Sequence, residues 1–391
     1  MTTLHAVNAI RVIAEFSVVR THTFADNIGM SNFVTDLMSF FFVLSGFVMM
    51  HSHYSDCFAT TSRKCDFWVG RWKKAYPAYI LNYAFYFHLN FVSDPCPYHR
   101  ICSMMQIVAL NAWFGCGITN VLNLVSWYIA TLAWIWFSFP FMHSTLKTFF
   151  SAGRVWLKMF VVNALAVAAI YPLSGYEILT YSTLPILRLG EFIIGCGAAC
   201  ALHNLEPTEG ALTRRHWVPM TLILLYIAVL YTLFALPHGL ESLCVHELNY
   251  NTRCSLWETS KWIEAKSPCL LVWDKYINKH ALLWAVVIHT VAAAEKSGDT
   301  SPLMRLLAHD FFKSLNTFSL TLYLGHIHVD WAIRGATDSL GWSNFWHDDT
   351  RIVAIYALCY LLHLITLKLS SAVFKRAYNY MPVPNPTYLF T

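Results

Sequence analysis

The chain has 391 residues, 57% hydrophobic and 13% charged, with a formal net charge of +5. Soluble domains carry about 25% charged residues, so this composition excludes an ordinary soluble domain and points to an integral membrane protein. The basic residues are scattered over separate segments and form no nucleic-acid footprint.

Ten segments read as spans: 5–24, 33–53, 75–92, 121–143, 157–173, 183–203, 217–236, 281–294, 313–333 and 351–373. They reach or approach the roughly 20 apolar residues that cross a bilayer, which predicts an all-α polytopic bundle of about ten transmembrane helices. An even number puts both ends on one side. Placing them in the cytosol makes the segment with Arg63, Lys64, Arg71, Lys73 and Lys74 cytosolic, together with Lys147, Arg154, Arg214, Arg215, Lys296, Arg305, Lys313, Lys375 and Arg376. The opposite short loops 24–32 and 174–182 have no Lys or Arg, 93–120 has only Arg100, and 334–350 only Arg334. This asymmetry follows the positive-inside rule and predicts cytosolic N- and C-termini at a plasma membrane or endomembrane. No cleavable signal peptide is expected, because the first apolar run lacks a basic leader and contains Arg11 and Glu15.

In the first span Arg11 and His22 are eleven residues apart. At about 100° per residue this is three turns plus roughly 20°, so the two share a helix face, about 16 Å apart along the axis. An arginine inside a membrane is usually functional, and a histidine on its face can move a proton near neutral pH. The same pair also fits a snorkelling arginine and an interfacial histidine. The second span opens with Asp36 and Ser39 and continues Phe40-Phe41-Phe42-Val43-Leu44-Ser45-Gly46-Phe47. Arg71, Lys73, Lys74, Tyr76 and Pro77 precede the third, and Ser126-Trp127-Tyr128 open the fourth. In the sixth, Arg188 and Glu191 are three apart and able to neutralise each other. The 237–280 segment is an exoplasmic insertion, either a small cap or a membrane-hugging loop with interfacial tryptophans. The ninth span holds Tyr323, His326, His328 and Asp330.

Residues 1–376 read as one transmembrane domain. The tail 377–391, with Pro382-Val383-Pro384-Asn385-Pro386, reads as extended and disordered. No metal-type His or Cys spacing occurs. Cys96 and Cys102 fall in one exoplasmic loop, and Cys244, Cys254 and Cys269 in the long one. An oxidising lumen allows disulfides there, with the pairing open.

The order and spacing of these residues resemble the membrane acyltransferase-3 family of multi-pass O-acyltransferases. Its arginine–ten residues–histidine matches Arg11 and His22. Its phenylalanine pair running into Ser-Gly-Phe matches Phe41-Phe42 and Ser45-Gly46-Phe47. Its basic stretch ending in Pro-x-Tyr matches Arg71, Lys74, Pro77 and Tyr79, and its helix from tryptophan to proline matches Trp127 and Pro140. The fifth motif matches Arg188, Glu191, Phe192 and Gly195, and the sixth Ser319, Tyr323, Leu324 and His326. The resemblance covers residues 4–373. The chain departs from it at Ser39 and Leu132, where many members carry acidic residues, and at Lys74, where arginine gives way to a point charge.

The resemblance implies transfer of an acyl group, acetyl above all, from acyl-CoA to a hydroxyl of a carbohydrate, lipid or small-molecule acceptor, with no permanently bound cofactor and no metal. His22 is the expected general base. Arg11 is expected to bind the donor arm or stabilise developing negative charge. Arg71, Lys73 and Lys74 suit coenzyme A phosphates. Trp127, Arg188, Glu191, Tyr323 and His326 line or support the site by resemblance. Asp36, Glu15 or Ser45 would orient the base. Two other classes fit the same buried charges: a transporter or channel with a polar intramembrane pathway, and a non-catalytic acyltransferase-like protein.

Overall fold

A computed structural model describes residues 4–23, 30–86, 97–113, 125–170, 184–205, 280–341 and 348–378. Among them the chain is all-helical and contains no strand. The helices are α1 (His5–Thr23), α2 (Met30–Ser52), α3 (Thr61–Tyr86), α4 (Pro97–Ile107), α5 (Ser126–Ser151), α6 (Val155–Ile170), α7 (Pro185–His203), α8 (Ala281–Lys296), α9 (Pro302–Leu307), α10 (Asp310–Ser339) and α11 (Asp348–Tyr378).

Two helical segments among the described residues are long and apolar enough to cross a membrane by themselves, Pro185–His203 and Thr350–Lys368. The first is mostly buried within the bundle and the second mostly exposed. Leu37–Ser52 and Val155–Ala166 are shorter apolar helical stretches. In α1, charged residues and histidines interrupt the apolar run, so packing rather than bulk apolarity gives it a buried face: Ala6, Val7, Ala9, Ala14 and Val18 all join the main core.

Several boundaries differ from the sequence reading, among them α5, which runs on to Ser151, and α10, which runs on to Ser339. The expected cytosolic loop 54–74 is helical from Thr61, as the first half of α3. Phe67, Trp68 and Trp72 seat that half on the core among basic residues that are half-buried or exposed, a pattern too polar on average to read as a span. The expected exoplasmic loop 93–120 contains α4, where Cys102 is disulfide-bonded. All other described cysteines are free, so its partner lies outside the described residues. α11 runs to Tyr378, two residues past the expected domain end. The expected span 217–236, the expected insertion 237–280 but for its last residue, and the expected tail 377–391 but for its first two residues lie outside the described residues.

The closest helix pair is α2 with α7, and glycine explains it. A side-chain carbon at Gly46 would land on the Phe192 carbonyl, and one at Gly195 on the Val43 carbonyl. The two backbones touch at reciprocal glycines, as small-residue interfaces permit. The pair is parallel, because Ser39 meets Glu191 at one end and His51 meets His203 at the other. α10 runs parallel to α1, through Arg11–Ser319 and His22–His326. α8 runs with α7, through His289–Ala198 and Lys296–Leu202. It runs against α1, whose first backbone N–H groups, on His5 and Ala6, donate to the Glu295 carboxylate at 2.5 and 2.9 Å. A carboxylate there complements the helix N-terminus.

Candidate active site

The centre of the bundle holds a polar network linking α1 to α10. Arg11 Nη2 donates to Ser319 Oγ at 2.8 Å, and Ser319 Oγ donates to Glu15 Oε2. Glu15 lies one turn beyond Arg11 on the same helix, and Ser319 connects the guanidinium to the carboxyl group. Glu15 is buried and its Oε1 has no hydrogen-bond partner among the described residues. The bridging hydroxyl satisfies polar groups of both side chains in the apolar interior.

Nearer the far end of α1, His22 Nδ1 lies 2.9 Å from His326 Nε2, with ring centroids 5.0 Å apart. His326 Nδ1 is 2.8 Å from the Tyr323 carbonyl and 3.2 Å from the Leu322 carbonyl. Carbonyl oxygens only accept, so we assign the His326 proton to Nδ1. The neutral ring then carries its lone pair on Nε2, and His22 Nδ1–H donates to it. A Val18 carbonyl contact on the His22 ring fits the same protonation. His22 Nε2 is left as a lone-pair nitrogen on a half-buried ring.

Between the two polar groups stands an aromatic wall. Tyr128 and Tyr323 pack edge to face at 5.3 Å, with Phe41 6.1 Å from Tyr128 and 6.5 Å from Tyr323. Ser45 Oγ donates to the Phe41 carbonyl at 2.7 Å and meets the Tyr128 hydroxyl at 3.1 Å. Behind the wall, Arg188 is 2% exposed and Glu191 fully buried. Arg188 Nη1 lies 3.1 and 3.2 Å from the two Glu191 oxygens, Ser39 Oγ donates to the same carboxylate, and the guanidinium rests over Phe42 and Trp127. Ser39, where the resemblance led one to look for a carboxylate, instead serves the carboxylate of Glu191.

The basic cluster is at the opposite end of the bundle. Arg71 Nη2 is 2.7 Å from His53 Nε2, beyond the end of α2. His22 is in the last turn of α1, whose first turn lies at the same end as the ends of α2, α7 and α8, so His22 is toward the other end. Lys73 is half-buried and Lys74 exposed.

The structure therefore joins Arg11, Glu15, Trp127, Arg188, Glu191, Tyr323 and His326 around the core that holds His22, and separates Arg71, Lys73 and Lys74 from it. The expectation that Glu15 orients His22 is corrected. Glu15 is seven residues away, about 10 Å of helix rise, and is engaged by Arg11 and Ser319, while His326 orients the ring. Ser45 orients Tyr128, not His22. Asp36 is helical, and its side chain lies outside the described residues. Sequence reasoning did not assign a role to Ser319. Its spacing to Tyr323 and His326, four and seven residues, places all three on one helix face and was the available signal. No family model, curated protein or solved structure matches this chain.

Proposed function

We propose that this chain is a multi-pass membrane O-acyltransferase similar to the acyltransferase-3 proteins, moving an acyl group from acyl-CoA to an acceptor hydroxyl. The observation that carries this reading is the His22–His326 pair, whose hydrogen-bond pattern leaves an unprotonated lone-pair nitrogen at His22 Nε2. In the proposed reaction His22 Nε2 takes the hydroxyl proton as the oxygen attacks the thioester carbonyl. The tetrahedral intermediate then collapses, the carbon–sulfur bond breaks, and the leaving thiolate takes the proton back from His22. His326 holds the ring in the productive tautomer and accepts the Nδ1–H that becomes more acidic as His22 gains its proton. The Tyr128 and Tyr323 hydroxyls and Arg11 provide donors near the core where oxyanion charge would develop.

Membrane embedding by about ten spans is supported by four features. Two helices among the described residues are long and apolar enough to cross. Val353, Leu361, Leu165, Phe160 and Ile186 leave large apolar side chains on the outer surface, which a bilayer would cover. Successive helices α7 and α8 run the same way, so a return crossing is needed between them, and 217–236 has the length and apolarity for one. Lys147, Lys296 and Arg71 share the end opposite His22. That end is the proposed cytosolic face, and the disulfide at Cys102 suits the other. A donor would dock from the cytosol and an acceptor approach His22 from outside.

The deciding experiment incubates purified protein with a panel of radiolabelled acyl-CoAs and acceptor hydroxyls, reading transfer and thioester hydrolysis. Label transfer that His22→Ala removes is the expected result. Intact thioester with every donor would sink the enzyme reading.

A further inference from the structure

α1 ends one residue after His22. Its last residue, Thr23, is 1% exposed, and the final carbonyls of a helix have no partner within the helix. A buried carbonyl of this kind takes its donors from elsewhere. Two arginines supply them. Arg334 Nη2, on α10, donates to the Thr23 carbonyl at 2.8 Å, and Arg351 Nη2, on α11, donates to it at 3.3 Å. Cations also suit a helix C-terminus, where the backbone dipole is negative.

The arginines are themselves held. Arg334 Nε donates to Asp330 Oδ2 at 2.8 Å, one turn back on α10, and Arg351 Nε lies 4.0 Å from Asp330 Oδ1. Asp330 is buried, and two guanidinium groups from two helices share its charge. His326 comes one turn before Asp330. Successive turns of α10 therefore grip adjacent residues of α1: His326 meets the His22 ring, and Arg334 holds the Thr23 carbonyl.

The last turn of a helix is where opening costs least, so a base placed there keeps its geometry only if that turn is held. We propose that Asp330, Arg334 and Arg351 are positioning residues for His22, a clamp that fixes the end of α1 and keeps the ring on His326. The consequence for acyl transfer rests on the acyltransferase reading, whereas the clamp does not.

Diethylpyrocarbonate labelling of purified full-length protein tests the clamp without turnover, because the reagent attacks the lone-pair nitrogen of a neutral imidazole. Peptide mass spectrometry gives the rate at His22, with His289, half-buried on α8, as internal reference. Arg334→Gln and Arg351→Gln each leave one of the two arginine donors on the Thr23 carbonyl, and each should speed His22 labelling about two- to threefold. The double variant removes both and should speed it by about tenfold or more, beyond the product of the single effects, with His289 unchanged. Arg334→Lys, which keeps a cationic donor, should recover most of the Arg334→Gln effect. Asp330→Asn keeps the shape, loses the charge and should resemble the single arginine variants. Where transfer is measured, kcat should fall in the same order with little change in the donor KM. A His22 rate unchanged relative to His289 in protein that elutes as a single folded peak overturns the clamp, and the two single variants decide this if the double variant does not fold. Rates rising together at both histidines report general loosening and overturn it too. If the wild type transfers no acyl group, the enzyme reading fails and the labelling still decides the clamp.

Discussion

His22 and His326 form a contact between residues 304 positions apart, and the direction of its proton decides which nitrogen is basic. In the proposed reaction, where His22 is the general base, His22→Ala should reduce acyl transfer by about 10²–10⁴-fold with donor binding retained. His326→Leu removes the acceptor for His22 Nδ1–H and frees the ring. A drop in kcat with little change in the donor KM is expected, and His326→Gln, which keeps an acceptor near Nε2, should recover part of it. Equal kcat in wild type and His326→Leu would remove His326 from the mechanism. Ser319 is a third residue with a definite expectation. Ser319→Ala leaves Arg11 and Glu15 without their bridge, and a stability loss of roughly 1–3 kcal/mol is expected in detergent unfolding.

At the scale of helices, α7 carries two devices in one stretch. Its glycine lets α2 approach, and its first turns hold the buried Arg188–Glu191 pair. Gly46→Ala or Gly195→Ala puts a methyl onto a carbonyl of the facing backbone, which cannot rotate away as a side chain can. Each should destabilise by about 1–3 kcal/mol or more, measured as a lower unfolding midpoint. The ion pair behaves differently. Arg188→Met alone strands a buried carboxylate and should cost about 3–5 kcal/mol, whereas Arg188→Met with Glu191→Met should recover much of it. If the double variant is worse than the single, the pair has a role beyond mutual neutralisation. The motif residues around Gly46 and Gly195 thus serve packing first, and their chemistry depends on that packing.

For the whole molecule, sidedness is the quantity on which the cross-membrane reading depends. A single cysteine at Ser62, at the start of α3, should be shielded from a membrane-impermeant thiol reagent in intact cells. One at Ser339, at the end of α10, should react. Both positions are exposed on the protein, so accessibility reports the membrane side and not burial. The reverse pattern would put His22 on the cytosolic face, on the same side as the proposed donor.

Composition and periodicity were enough to define an all-helical chain, because helix formation and apolar patterning are local properties of a few successive turns. They were also enough to set Arg11 and His22 on one face of α1, since that follows from their spacing. The first half of α3 stayed hidden because its tryptophans pack on one side of an otherwise basic segment, and averaging over a window erases the pattern. The partners of the site residues were not local. His326 rather than Glu15 lies against His22, and Ser319 joins Arg11 to Glu15, because helices far apart in the chain bring those groups within 3 Å. Such pairings are decided when buried donors and acceptors satisfy one another in the packed bundle, and only the tertiary structure contains that packing.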